Sequence, residues 1–217
     1  MKAKQREYTV IVGDLVRSRR DSDRKRLARV IPLALSHANR VFSGEFHAPL
    51  VQTQGIDAVS GVLKRPGTSY EICRSVNERI LPNAFRFAVA CGRLDVGLGS
   101  RDAAKIDGPA FHVAADLVER AKQQNLYYAF ALGDESGELE TLLTVLASVI
   151  HIARGTWTTR QRRVVKLYEE LGTQRAVARK LGITQQAVSD ALVKSSHKEL
   201  VRAEEVVTLV LGRARNK

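Results

Sequence analysis

The run YTVIVGDLV at positions 8–16 constrains this chain more than any other. Apolar and β-branched side chains fill most of its places, so it reads as a buried strand leading into a turn at Gly13-Asp14. A buried strand needs neighbours, and the following residues signal them in a fixed order. Positions 17–42 carry helical spacing at Leu27, Val30, Ile31, Ala34, Leu35 and Ala38. Asp21, Ser22 or Asp23 can cap that helix, and Pro32 is expected to kink or break it. APLVQTQGIDAVSGVLK at 48–64 reads as two short strands around a tight turn near 55–57. Thr68 or Ser69 can cap a helix over 70–80, which Leu81-Pro82-Asn83 ends. FRFAVACGRLDVGLG at 85–99 reads as another strand pair. Pro109 sits in the first turn of a further helix, and LYYAFAL at 126–132 is a last strand.

Strand, helix, strand, strand, helix, strand is the βαββαβ order of a ferredoxin-like sheet, so the expected class is α+β. GDESG at 133–137 is a polar break, followed by a helix over 138–154 rich in Leu, Val and Ile. That helix links two halves or builds a dimer. The expected domains are a sheet domain at 1–133, a connecting helix at 134–155 and an all-α domain at 156–217.

Charge separates the halves. The chain carries a net +12 with a pI of about 10.1. From Thr156 onward there are thirteen Lys or Arg against six Asp or Glu, so this short segment holds over half of the excess. A basic segment of this kind commonly meets a polyanion. With 44% hydrophobic and 27% charged residues the composition is that of a soluble folded protein. No apolar run approaches the ~20 residues of a membrane span. The first residues lack the apolar core of a signal peptide, so a cytoplasmic location with reduced Cys73 and Cys91 is expected.

The basic segment also has a motif. TTRQRRVVKLYEEL directs Val164, Val165, Leu167, Tyr168 and Leu171 towards a core. TQRAVARKLGITQQAVSDALVK then gives two short helices around a turn. Ala178 is small where a second helix would press close, Gly182 suits a left-handed turn, and Thr184 can cap the next helix. Ile183 and Val188 face inward. These are helix-turn-helix spacings, and residues 158–192 resemble sigma-factor region 4 and related bacterial regulators. The resemblance implies double-stranded DNA as partner. Thr184, Gln185, Gln186 and Ser189 would meet base edges, and Arg175, Arg179, Lys180 and Lys194 would meet phosphates, with Arg160, Arg162 and Arg163 adding to these. The alternative is a plain three-helix bundle whose polar residues are idle.

The sheet half has two noteworthy carboxylates. Asp14 follows the first strand and Asp57 lies in a hairpin turn, so neighbouring strands would bring them to one end of the sheet. There they would repel unless a cation such as Mg²⁺ joined them. Here IVGDLVRSR, TQGIDAVSGVLK, FRFAVACGRLDVG and DGPAFHVAADLVERA, over positions 8 to about 132, resemble the SatD family. More distantly the first two are similar to class III nucleotide cyclases and palm domains, in which two such aspartates hold two metals. That similarity implies Asp14 and Asp57 as metal ligands, possession of a nucleotide ligand, and nucleotidyl transfer or cyclisation as an alternative function. Two departures weigh against cyclase catalysis. Ala58 stands where SatD proteins have a glutamate, and His112 and Asp116 stand where cyclases have Asn and Arg. His112 reads as a ligand or acid-base group, or as a partly buried, hydrogen-bonded histidine, and Asp107-Gly108-Pro109 as a third acidic contributor or a turn. The basic run at 17–29 reads as a solvated helix face or a polyanion contact. No Walker loop, zinc constellation or catalytic triad is evident, so no catalytic residue is assigned. The leading expectation is a dimeric bacterial DNA-binding regulator with a SatD-like sensory or assembly domain.

Overall fold

The structure, a computed structural model, describes residues 7–16, 21–133 and 137–214, without the side chains of 21–23. The capping roles of Asp21, Ser22 and Asp23, the basic residues at 17–20 and the centre of the GDESG break lie outside the described residues. The fold is α+β. It divides into two compact units, Met1–Ser148 with Val207–Lys217, and Val149–Val206.

The first unit contains strands β1 (Tyr8–Leu15), β2 (Phe46–Gln54), β3 (Ala58–Leu63), β4 (Phe85–Gly92) and β5 (Tyr128–Ala131). They form one mixed sheet in the order β2-β3-β1-β4-β5. β1 is antiparallel to β3 and β4, whereas β4 and β5 run parallel. Period-two alternation sorts β1 between two cores. Tyr8 and Val10 join Val62, Ala88 and Ala90 beneath α3 (Pro109–Gln123), whose Ala110, Ala114, Leu117, Val118 and Ala121 are buried. Gly13 belongs to the opposite face. A Cβ there would lie 2.6 Å from the Phe87 ring and 2.7 Å from Val59, so only glycine lets these two close over β1. Helices α1 (Asp21–Val41) and α2 (Ser69–Ile80) pack against each other, with Leu27, Ile31, Ala34, Leu35, Ile72, Cys73, Val76 and Ile80 all buried.

Three sequence expectations change. Pro32 does not break α1, which runs unbroken as helix to Val41. Its ring lies on the exposed side, while Ile31, Ala34 and Leu35 bury the other side and hold the helix across the missing hydrogen bond. The expected strand pair at 85–99 is one strand. Past Gly92 the chain leaves the sheet, Leu94 drops into the core under α3, and Val96 keeps only an isolated bridge to Asp107. Thr68 occupies the N-cap of α2 without a side-chain cap bond, and the Ser69 hydroxyl instead donates to the Pro66 carbonyl.

The open edge at β5 is closed by side chains. α4 (Glu138–Gly155) offers polar residues one turn apart along an otherwise apolar helix. The Ser148 hydroxyl accepts from the backbone N–H of Tyr127 and of Tyr128, both at 3.1 Å. Thr144 Oγ1 accepts from Phe130 N at 3.2 Å, and Glu140 Oε1 accepts from Leu132 N at 2.5 Å. Edge donors that would otherwise template another strand are thereby satisfied. Ser148 is 1% exposed. Ser148→Ala is therefore expected to destabilise the protein by about 1–3 kcal/mol, because it strips buried N–H groups of their acceptor. Urea unfolding checks this, and Ser148→Thr should recover part of the loss.

The second unit holds the later part of α4, helices α5 (Thr159–Leu171), α6 (Gln174–Leu181) and α7 (Gln185–Lys194), and the first part of α8 (His197–Arg213). α5, α6 and α7 pack on one another around Val164, Val165, Val177, Ala178, Val188, Ala191 and Leu192. Leu171, expected inside, is exposed at the end of α5. No single helix among the described residues is long and apolar enough to cross a membrane.

Candidate functional site

The two aspartates are near in the backbone but not in their chemistry. Leu15 N donates to Asp57 O at 2.8 Å, so the turn does lie beside the end of β1. Asp14, however, is registered opposite Ala58, one residue beyond Asp57. Its carboxylate takes Lys122 of α3 at 3.2 Å, and its antiparallel neighbour on β4 is the buried Arg86. Asp57 instead takes both guanidinium nitrogens of Arg24 on α1, at 3.4 and 3.2 Å. Burial alone would lower the Lys122 pKa. Its bonds to Glu119 and Asp14 outweigh that and hold it above the usual lysine range. Each carboxylate thus has a protein cation drawn from a different helix. Asp14 and Asp57 thus serve separate partners. No group of three or more His, Cys, Asp or Glu that could hold a metal occurs among the described residues.

The remaining candidates in the sheet unit are modest. His112, expected partly buried, is exposed and stands 3.7 Å from Asp107. Asp107 accepts from Gly108 N at 2.7 Å, which makes it a turn-former at the start of α3. Asp116 is exposed on the same helix. Burial pushes the Cys91 thiol up to about 11 and the fully buried Cys73 thiol well above its usual value, so neither is poised as a nucleophile.

The helical unit carries its candidates on short, well-capped helices. Thr158 and Gln161 form a reciprocal capping box at the start of α5. Gly172 closes α5 in the left-handed region, and the Thr173 hydroxyl caps α6 by accepting from Ala176 N. Gly182, with φ of 66°, ends α6, and the Thr184 hydroxyl accepts from Ala187 N to start α7. Only Gly182, Ile183 and Thr184 separate α6 from α7. Val188 is fully buried, Ala178 nearly so, and Ile183 half-buried.

On the outer side Thr184, Gln185 and Gln186 are exposed and Ser189 is half-buried. Arg175, Arg179, Lys180 and Lys194 are all exposed, as are Arg160 and Arg163. Arg162 instead donates to the Gly155 carbonyl. A cleft of about 350 Å³ lies between the first turn of α5 and α7, with Arg160, Asp190 and Lys194 among its lining residues. Two residues on this side escaped the sequence reading. Asp190 and Val193 follow Gln186 at helical spacing, and both are exposed. That spacing was the available signal.

A second cluster is internal to the unit. Arg154 is buried and forks onto Glu204 at 2.7 and 2.8 Å, with Glu169 at 3.6 Å. His197 lies edge-on to Tyr168 and 3.9 Å from Glu169, and its Nδ1 is buried without a hydrogen-bond partner. Burial lowers the His197 pKa, with Arg154 adding to the effect against the nearby glutamates. These groups come from distant points of the chain, and nothing local in the sequence announces them.

A profile described as the SatD family matches residues 8–211, from the start of β1 into the last turns of α8. The chain belongs to the SatD family. No curated protein matches it by sequence. The SatD match passes well beyond β5, where the sequence resemblance had ended at about 132. The small helices are therefore part of what the SatD profile describes, not a segment outside it.

Proposed function

We propose that this SatD-family protein binds double-stranded DNA through α5, α6 and α7, as a homodimeric transcriptional regulator. The single observation that carries the reading is the outer side of α7. Gln185 and Gln186 are exposed directly after a capped, glycine-turned junction with α6, on a helix whose inner side is anchored by Val188 and Leu192. Those features support a helix-turn-helix whose second helix enters the major groove by its N-terminal residues. Arg175, Arg179, Lys180 and Lys194 supply cations around it for phosphates.

The β2-β3-β1-β4 part of the sheet, with its two antiparallel pairings of β1, supports the ferredoxin-like reading of the first unit. Because Asp14 and Asp57 are engaged by separate cations, assembly is better supported for this unit than nucleotide chemistry. α4 exposes Leu139, Leu142, Val145, Val149 and Ile152, and this apolar side suits a second copy of the chain.

Selection of bound fragments from random duplex DNA by the full-length chain tests the reading. The expected product is a pair of half-sites separated by one or more whole helical turns, the spacing a dimer sets. The double variant Gln185→Ala, Gln186→Ala should relax base choice within each half-site by about 5- to 150-fold while leaving weak general binding in place. Recovery of random fragments by the wild-type chain would refute specific recognition, and a single unrepeated site would refute the dimer.

A further inference from the structure

We infer that Asp190 is the discriminating base reader of α7, acting with Gln186 and Val193, an inference that rests on the DNA-binding reading above. Gln186, Asp190 and Val193 fall at successive turns along the outward side of the helix. Val193 is 74% exposed, the most exposed of the large hydrophobic residues among those described. Gln186 Nε2 donates to Asp190 Oδ1 at 2.8 Å. The bond fixes the amide one turn away and leaves its carbonyl and second N–H free for an adenine edge. That is the pairing a glutamine makes best in the major groove.

The other oxygen of Asp190 decides the neighbouring position. A carboxylate only accepts hydrogen bonds. In the major groove cytosine N4 and adenine N6 donate, whereas guanine shows two acceptors, N7 and O6. Asp190 therefore favours cytosine and repels guanine, which is selection by exclusion as much as by attraction. The same charge opposes loose attachment to phosphates, which tempers Arg160 and Lys194 in the cleft that Asp190 shares with them. Val193 presents methyl groups without a polar atom and so suits the thymine C5-methyl. Lys194, one turn beyond Asp190, is exposed and lines the same cleft, where it serves a phosphate.

Fragment selection with the intact chain and its Asp190→Asn and Val193→Ala variants tests the assignment. The wild-type chain should yield a half-site with one position from which guanine is depleted. In Asp190→Asn, which adds a donor without changing shape, guanine should return at that position by about 5- to 150-fold, the range of one good base contact. Affinity for unrelated duplex should rise at the same time. Val193→Ala should weaken a thymine preference at an adjacent position only. Unchanged base preferences in both variants, with wild-type selectivity intact, would overturn this assignment and leave the DNA reading standing. Failure of the wild-type chain to bind any duplex would overturn both.

Discussion

Replacing Arg154 with alanine is expected to cost the helical unit about 3–5 kcal/mol, the penalty for stripping one partner from a buried ion pair. The Arg154 side chain is 10% exposed and that of Glu204 is 13% exposed. The guanidinium also lies 4.8 Å over the Trp157 ring, whose N–H donates to Ser195 O at 2.9 Å. Removal leaves the Glu204 carboxylate in a poorly solvated place without its guanidinium and uncovers the indole. Lysine should not rescue, because a point charge cannot make the paired bonds of the planar fork. The double variant Arg154→Met, Glu204→Leu should lose far less, since both charges leave the interior together. Trp157 is the only tryptophan in the chain, so its fluorescence during urea unfolding reports this unit directly. A second readout separates electrostatics from packing. Arg154 helps hold the His197 pKa down, so that pKa should rise in Arg154→Ala, followed by NMR titration of the ring protons. A loss under about 1 kcal/mol, typical of exposed pairs, would show that water already screens the cluster.

What the sequence made legible follows from the range of each interaction. β1, the β2–β3 hairpin and α3 were readable because their signals are local periodicity and turn residues. The junction Gly182-Ile183-Thr184 was readable for the same reason, since a left-handed glycine and a hydroxyl cap act within a few residues. Asp14 and Asp57 differ by a single step of register. The turn does reach the end of β1, but Ala58, not Asp57, is the residue opposite Asp14. A one-residue offset in a sheet changes the face a side chain takes. Which cation each carboxylate met depended on α1 and α3 docking from elsewhere, which no local pattern records. The ladder of Glu140, Thr144 and Ser148 was present as polar residues one turn apart, yet its purpose needed the edge of β5 beside it. The Arg154 cluster joins residues 154, 169, 197 and 204, and only the folded chain brings them together.

The largest expected effect on binding belongs to the cations of α6. The variant with Arg175, Arg179 and Lys180 all changed to Gln should bind DNA with a salt dependence about 2.7 units shallower on a log–log plot, because each phosphate contact contributes roughly 0.9. Between 50 and 200 mM salt the wild-type chain should then lose about 40-fold more affinity than the variant. The substitution isolates charge. All three side chains are exposed, and glutamine keeps length and helix preference close to the original, so folding should survive. Base choice should also survive, since phosphate contacts fix register without reading sequence. The Gln185 and Gln186 variants should show the reverse, an intact slope with altered base choice. An unchanged slope in the triple variant would mean that α6 does not face the backbone. The outer side of α7 would then have no flanking cations on that side to hold it in a groove, and its polar residues would be ordinary solvated surface.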